Sequence, residues 1–341
     1  MRQRNREYFF NIKHIFDNFT IVSVDVVDNE APVMDELEET FNVHTPMDVN
    51  TFERILKTNE NVMEQILQVC KENNLTEAKS RIFRNNFFHS PQHNGLFCWI
   101  KRSASTSFAK LFSDINGQTR THNDDNDFSF LFPKTNVSLD YLMKDSRTFK
   151  FLAVRHPFER LVSAYRDRIE DNSNFKSQAW VYVPKIFHLT RPDLFKPSGV
   201  LEETLGKIFY QNRRLKLVPT FEEFIRWLLQ EDPTQYDSHW DRYYQHCSLC
   251  HVRYNQVLKL DNYTTDELDF TFYHLNLGRH HSLRIHQLQE TKGGQTNFEQ
   301  TCNYFKNLSH ASIVSLYEKY RIDFDMLNYD FDRYFECIEG D

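Results

Sequence analysis

Two short apolar runs constrain the fold more than anything else in the chain: Leu96-Phe97-Cys98-Trp99-Ile100 and Phe149-Lys150-Phe151-Leu152-Ala153-Val154. Unbroken runs of this length suit strands covered on both faces, as in a parallel sheet, rather than half-exposed strands that alternate apolar and polar. Each leads through a polar turn into helical spacing. Phe108, Leu111 and Phe112 follow the first run. After the second, Arg155-His156 and Pro157 open a segment carrying Phe158, Leu161, Val162, Tyr165 and Ile169. Two strand-to-helix units predict an α/β fold with crossovers and a central parallel sheet.

The remaining length divides unevenly. Residues 1–50 lack sustained periodicity and include an acidic run from Asp25 to Glu39, which predicts a loosely attached N-terminal region before a domain over 51–341. From Thr51, Phe52, Ile55, Leu56, Met63, Ile66, Leu67 and Cys70 recur at helical spacing and predict an amphipathic helix ending near Lys71. Thr220-Phe221-Glu222-Glu223 matches a capping box and predicts a helix start. Ile313, Leu316, Tyr317 and Tyr320 mark a further helix, while residues 123–127 and 291–296 read as loops. With 31 Phe and 16 Tyr the body should be well packed.

Charge and cysteines narrow the function. A formal net charge of −7 argues against a general nucleic-acid binder, which needs a broadly basic face. Short clusters at Lys101-Arg102, Arg155-His156 and Arg279-His280-His281 could still serve one anionic ligand. Six cysteines are too few in 341 residues to read as a disulfide scaffold, and their number leaves the redox compartment open. Sequons at Asn18, Asn74, Asn136, Asn262 and Asn307 carry little weight in so Asn- and Ser-rich a chain. No stretch approaches the ~20 apolar residues of a membrane span, and no signal-peptide core follows Met1. The chain as written is expected to be soluble, with any anchor supplied outside it or an atypical route of entry.

The first chemical site is Lys101-Arg102-Ser103-Ala104-Ser105-Thr106-Ser107, between a buried strand and a helix. Outward backbone N–H groups, the helix dipole, small residues and two cations suit an anion there. The logic is P-loop-like, but the glycines of a P-loop are absent and no acidic strand end offers magnesium, which disfavours an ATPase or kinase. The second site is Arg155, at the end of its strand, with Ser163 on the next helix, off its apolar stripe and free to bond a ligand. The predicted architecture is a three-layer, P-loop-like α/β fold with the ligand at the strand C-terminal ends.

Together the two segments resemble the 5′-phosphosulfate and 3′-phosphate motifs of the carbohydrate sulfotransferases, the family of chondroitin and dermatan 4-O-sulfotransferases and HNK-1 sulfotransferases. The resemblance runs from about Phe97 to Phe331. It includes Thr220-Phe221-Glu222-Glu223-Phe224, the block His239-Trp240 with Cys247-Ser248-Leu249-Cys250 and Tyr254, and Leu316-Tyr317 with Asp323-Phe324 and Tyr329. It implies transfer of a sulfuryl group from 3′-phosphoadenosine 5′-phosphosulfate (PAPS) to a glycan hydroxyl, without a metal, by a membrane-associated enzyme of the Golgi lumen.

By position the resemblance puts Arg102 where the family has its phosphosulfate lysine, Ser105, Thr106 and Ser107 at the 5′-phosphate, and Arg155 with Ser163 at the 3′-phosphate. Two departures stand out. Pro-Lys becomes Lys101-Arg102, so either cation could be the functional one, and His156 replaces an Asp. His239 is the candidate general base, since an imidazole can take a hydroxyl proton near neutral pH. The Cys-x-x-Cys predicts a local structural role, as thiols or a disulfide, over zinc held with His239, His246 or His251. The competing readings are a non-catalytic nucleotide- or glycan-binding homologue and a P-loop kinase.

Overall fold

The computed structural model describes residues 47–77, 82–117, 128–195, 201–278 and 296–338. Nearly all of the expected N-terminal region, the sequon at Asn18, the Arg279-His280-His281 cluster and the loop expectations at 123–127 and 291–295 lie outside them.

Along the chain come α1 (Val49–Glu72), β1 (Phe87–Ser90), β2 (Gly95–Cys98), α2 (Ser105–Ile115), α3 (Asn136–Lys144) and β3 (Phe149–Val154). There follow α4 (Pro157–Tyr165), α5 (Ser177–Thr190), α6 (Leu201–Ile208), α7 (Phe221–Gln230), α8 (Tyr243–His246) and β4 (Gln256–Lys259). The C-terminal part holds α9 (Thr265–His274), α10 (Phe298–Phe305) and α11 (His310–Leu327). The helix expected from Thr51, both strands of the repeated unit and the helix around Leu316 are present. So is the capping box: the Thr220 hydroxyl accepts the Glu223 N–H at 3.2 Å, and the Glu223 carboxylate accepts the Thr220 N–H at 2.8 Å.

The four strands form one sheet in the order β1-β2-β3-β4. Strands β2, β3 and β4 run parallel, with Phe97 opposite Phe151 and Leu152 opposite Val257. The sheet is nevertheless mixed, because β1 pairs antiparallel with β2. Only Pro91 to Asn94 separate these two strands, far too few for a crossover, so they close as a hairpin. Asn94, at φ 48°, takes the left-handed turn position.

Helices cover both faces, and β2 and β3 are buried throughout, as the unbroken apolar runs require. Leu96, Cys98, Leu152 and Val154 point to one side, where they join Met63 and Ile66 of α1 and Met326 of α11. Phe97, Phe151 and Ala153 point to the other and meet Phe108, Leu111 and Phe112 of α2 and Phe270 of α9. A further core surrounds α4, whose residues are all buried. Ser163 is buried with the rest of this helix rather than exposed on a polar face.

The cysteines overturn a second expectation. All six are paired, as Cys70–Cys250, Cys98–Cys247 and Cys302–Cys337. Cys247 and Cys250 are not joined to each other; they tie α1 and β2 to the segment after α8. Cys70 and Cys98 sit within apolar stripes, where a half-cystine and a small hydrophobe occupy the same buried place.

Candidate active site

The parallel strands β2, β3 and β4 all end on one side of the sheet, where ligands of α/β proteins gather. Beyond those ends opens a cavity of about 650 Å³, a size that suits a small-molecule ligand. It is bordered by Lys101, Arg102, Ala104, Ser105, Thr106 and Ser107 after β2, by Arg155, Glu159 and Ser163 after β3, and by Leu260 and Asp261 after β4. His239 borders it from a segment far along the chain. Every sequence-predicted site residue thus converges here except Ser103, which is fully buried behind the loop.

The loop after β2 is strained. Arg102 and Ala104 adopt φ 70° and 54°, left-handed positions that favour glycine and where other residues cost about 1–2 kcal/mol each. Ala104 is also the N-cap of α2 and has no side chain to cap it. By contrast, Thr135, Thr220, Thr264 and Ser309 each cap a helix with a hydroxyl. The first-turn N–H groups of α2 are left facing the cavity beside two cations, an anion-binding arrangement.

Lys101 and Arg102 diverge. The Arg102 guanidinium donates to Ser163 Oγ at 3.0 Å and to Asp167 at 3.0 Å. Ser163 thus accepts from Arg102, which leaves its own O–H able to donate to a ligand. Asp167 also holds Arg168 at 2.8 Å and Lys176 at 3.6 Å, so one carboxylate gathers three cations at the rim. Lys101 turns the other way, with Nζ 6.0 Å from the Trp99 ring centroid. Burial lowers its pKa, an effect that Asp237 opposes.

On the second strand end, Arg155 lies 3.7 Å from Glu159, one helical turn on, and Glu159 also meets Arg333 at 3.3 Å. Burial and the nearby Asp261 raise the Glu159 carboxyl well above its ordinary value. His156 is held by bonds from its ring and its backbone. Its Nδ1 accepts the Phe158 N–H and caps α4, while its Nε2 donates to the Asp330 carbonyl at 2.9 Å. Its own N–H donates to Asp261 at 2.9 Å. Burial lowers its pKa to about 4, so the ring is neutral.

The His239 segment has no regular structure and is held from outside. The buried Arg160 of α4 donates to the carbonyl of Lys101 at 3.0 Å, of Ser238 at 3.0 Å and of Asp241 at 2.5 Å. One side chain thereby ties the phosphate-side loop to the His239 turn. Just downstream, the Cys98–Cys247 and Cys70–Cys250 bonds fix the same segment to β2 and α1. With these cysteines oxidised, no thiolate is left for zinc, and no group of metal-holding residues occurs among the described residues.

Sequence reasoning missed Trp99, Phe128, Arg168, Gln178, Asp261 and Arg333 at the cavity. Only Asp261 had a usable signal, as the residue just past a third strand end. Yet β4 has just four residues with a polar one at each end, too few to stand out as an apolar run.

A family model described as "Sulfotransferase family" matches residues 85–330, which take in the loop after β2, the ends of β3 and β4, α4 and the His239 turn. The chain belongs to the sulfotransferase family. By that kinship it is a sulfotransferase enzyme. It is 28% identical to carbohydrate sulfotransferase 11 of Rattus norvegicus over 291 residues, covering 80% of this chain and 76% of the relative. Carbohydrate sulfotransferase 10 of Danio rerio is 26% identical over 298 residues, 80% and 74% of the two chains. Carbohydrate sulfotransferase 9 of Homo sapiens is 23% identical over 310 residues, 84% and 66%. No solved structure matches this sulfotransferase significantly.

Proposed function

We propose that this sulfotransferase moves the sulfuryl group of PAPS to a hydroxyl of a glycan of the chondroitin or dermatan type or a related carbohydrate. The observation that carries the reading is the convergence of two anion sites and one neutral imidazole on a single cavity. In it the α2 N-terminus with Ser105, Thr106 and Ser107 receives the 5′-phosphosulfate, and Arg155 with Ser163 receives the 3′-phosphate. By register Arg102 stabilises the leaving oxygen, with Lys101 the alternative, and His239 takes the acceptor proton. Burial lowers the His239 pKa to about 4, which keeps the ring neutral and able to accept at pH 7.

The fold is read as P-loop-like, with residues 51–341 as the catalytic domain. Three disulfides support work in an oxidising lumen, such as that of the Golgi, with membrane association.

The test is transfer of labelled sulfate from PAPS to a panel of desulfated glycans. Transfer to at least one is expected; binding of adenosine 3′,5′-bisphosphate with no transfer to any would favour a binding-only homologue. Arg155→Ala should weaken that nucleotide by about 2–4 kcal/mol and barely touch adenosine 5′-phosphosulfate, which lacks the 3′-phosphate. Arg102→Ala should reduce transfer more than Lys101→Ala; the reverse ranking would shift the motif by one residue.

A further inference from the structure

Beside the proposed base stands a carboxylate that no sequence pattern singled out. Asp237 lies two residues before His239. Its Oδ1 accepts the His239 backbone N–H at 2.9 Å and meets the ring Nδ1 at 2.5 Å. One oxygen thus grips both the backbone and the ring of the same residue, which fixes the side-chain torsions. The contact is shielded, with the two side chains only 3% and 18% exposed for His239 and Asp237.

Burial pushes the Asp237 carboxyl up, but its hydrogen bonds from His239 and the nearby Lys101 charge outweigh this and hold it below its ordinary value. It is therefore ionised and can only accept, so Nδ1 carries the ring proton and Nε2 the lone pair. Among the described residues nothing hydrogen-bonds to Nε2, and His239 borders the cavity.

We infer that Asp237 is the positioning residue of the proposed base, holding His239 as the Nδ1–H tautomer and offsetting the charge the ring gains when Nε2 takes the acceptor proton. The inference rests on the reading of His239 given above. In the step it serves, the acceptor oxygen bonds to sulfur as the sulfur–oxygen bond to the 5′-phosphate breaks. The hydroxyl proton passes to Nε2, and the electron pair of the broken bond leaves with adenosine 3′,5′-bisphosphate. The imidazolium so formed is buried and feels the positive Lys101 and Arg168, with Asp237 opposing them. Removing that carboxylate would leave a cation with no counter-charge at its ring.

Asp237→Asn keeps the shape, removes the charge and lets an amide N–H face Nδ1, which frees the wrong tautomer. Turnover should fall by roughly 10²–10⁴-fold, with the affinity for adenosine 3′,5′-bisphosphate unchanged by calorimetry. The solvent deuterium isotope effect on kcat should rise as proton transfer becomes limiting. In a His239→Gln background the same change should cost almost nothing more, because Asp237 acts through His239.

A full additional loss in that background would overturn the inference, as would normal turnover of Asp237→Asn where His239→Gln is inactive. Normal turnover of His239→Gln is a different failure, removing the base and this inference with it. If Asp237→Asn does not fold, ¹⁵N spectra of histidine-labelled enzyme, assigned by loss of a signal in His239→Gln, decide the matter. A protonated Nδ1 supports the inference and a protonated Nε2 ends it.

Discussion

The two walls of the cavity are built by opposite means. Arg155 stands just past β3, a six-residue buried strand, and Ser163 on α4, a helix with proline at its first position. Such elements satisfy their own backbone groups and hold their shape by ladder and packing. His239 stands on a turn that must borrow its partners: Arg160 donates to two of its carbonyls, and the Asp237 carboxylate accepts the His239 N–H. An irregular segment can aim a side chain where no helix or strand would, but its geometry then depends on a few distant groups, each a single point of failure.

The sharpest way to break this comparison is to remove the two disulfides behind the His239 wall. They close nearly the same long loops, separated in sequence by 180 and 149 residues. While one remains, losing the other opens only the short ring between them, roughly 30 residues, worth about 3.5 kcal/mol; the second loss should cost about 5 kcal/mol. Denaturant unfolding of Cys98→Ala/Cys247→Ala, Cys70→Ala/Cys250→Ala and the fourfold variant measures this order dependence. Equal costs for both steps would mean that the bonds act through native packing instead.

Next in size is Arg160→Met, which strands three carbonyls at about 1–3 kcal/mol for each that water cannot reach. A loss of roughly 3–5 kcal/mol is expected, with turnover falling more than nucleotide affinity, because the His239 turn loses two of the three donated bonds and the loop after β2 only one. Equal damage to both readouts would mean the walls are not independent.

Acid should treat the walls alike. His156 and His239, one on each, are both held near pKa 4 by burial. A lowered histidine pKa means that the unfolded chain binds the proton first, so stability is fully present above about pH 6.5 and is lost as pH falls towards 4. His156→Gln or His239→Gln should each flatten that slope by up to about 1.4 kcal/mol per pH unit, read from unfolding at pH 5 and pH 7.5. The smallest effect belongs to Arg54→Ala, away from both walls. Its ion pair with Asp266 at 3.2 Å is about half exposed on each side, so less than about 0.5 kcal/mol and no turnover should be lost.

The same division explains what could be read beforehand. Strands β2 and β3, the helices beside them and the residues of the loop after β2 follow from local pattern, since burial on both faces writes itself as an unbroken apolar run. The capping box of α7 is likewise local. What escaped was non-local or masked by burial. Cys70 and Cys98 fit their apolar stripes as well as leucine would, so nothing marked them as bridge partners. Arg160 reads as one more charge on a helix, yet it is buried, and its three acceptors are backbone atoms with no residue identity to detect. Arg102 and Ala104 adopt left-handed angles that the sequence conceals, because the glycine that would announce them is absent.

The pairing of Cys70 with Cys250 and Cys98 with Cys247 also sets an order of events while the chain matures. Cys247 and Cys250 are three residues apart, and in a newly made chain they collide far more often than either meets a partner some 150–180 residues away. A small ring between them is the kinetically favoured first product, and it must be opened by another thiolate before the native bonds can form. Maturation therefore passes through a reshuffling step of seconds to hours, and the yield of active enzyme from a host cell should follow its supply of disulfide isomerase.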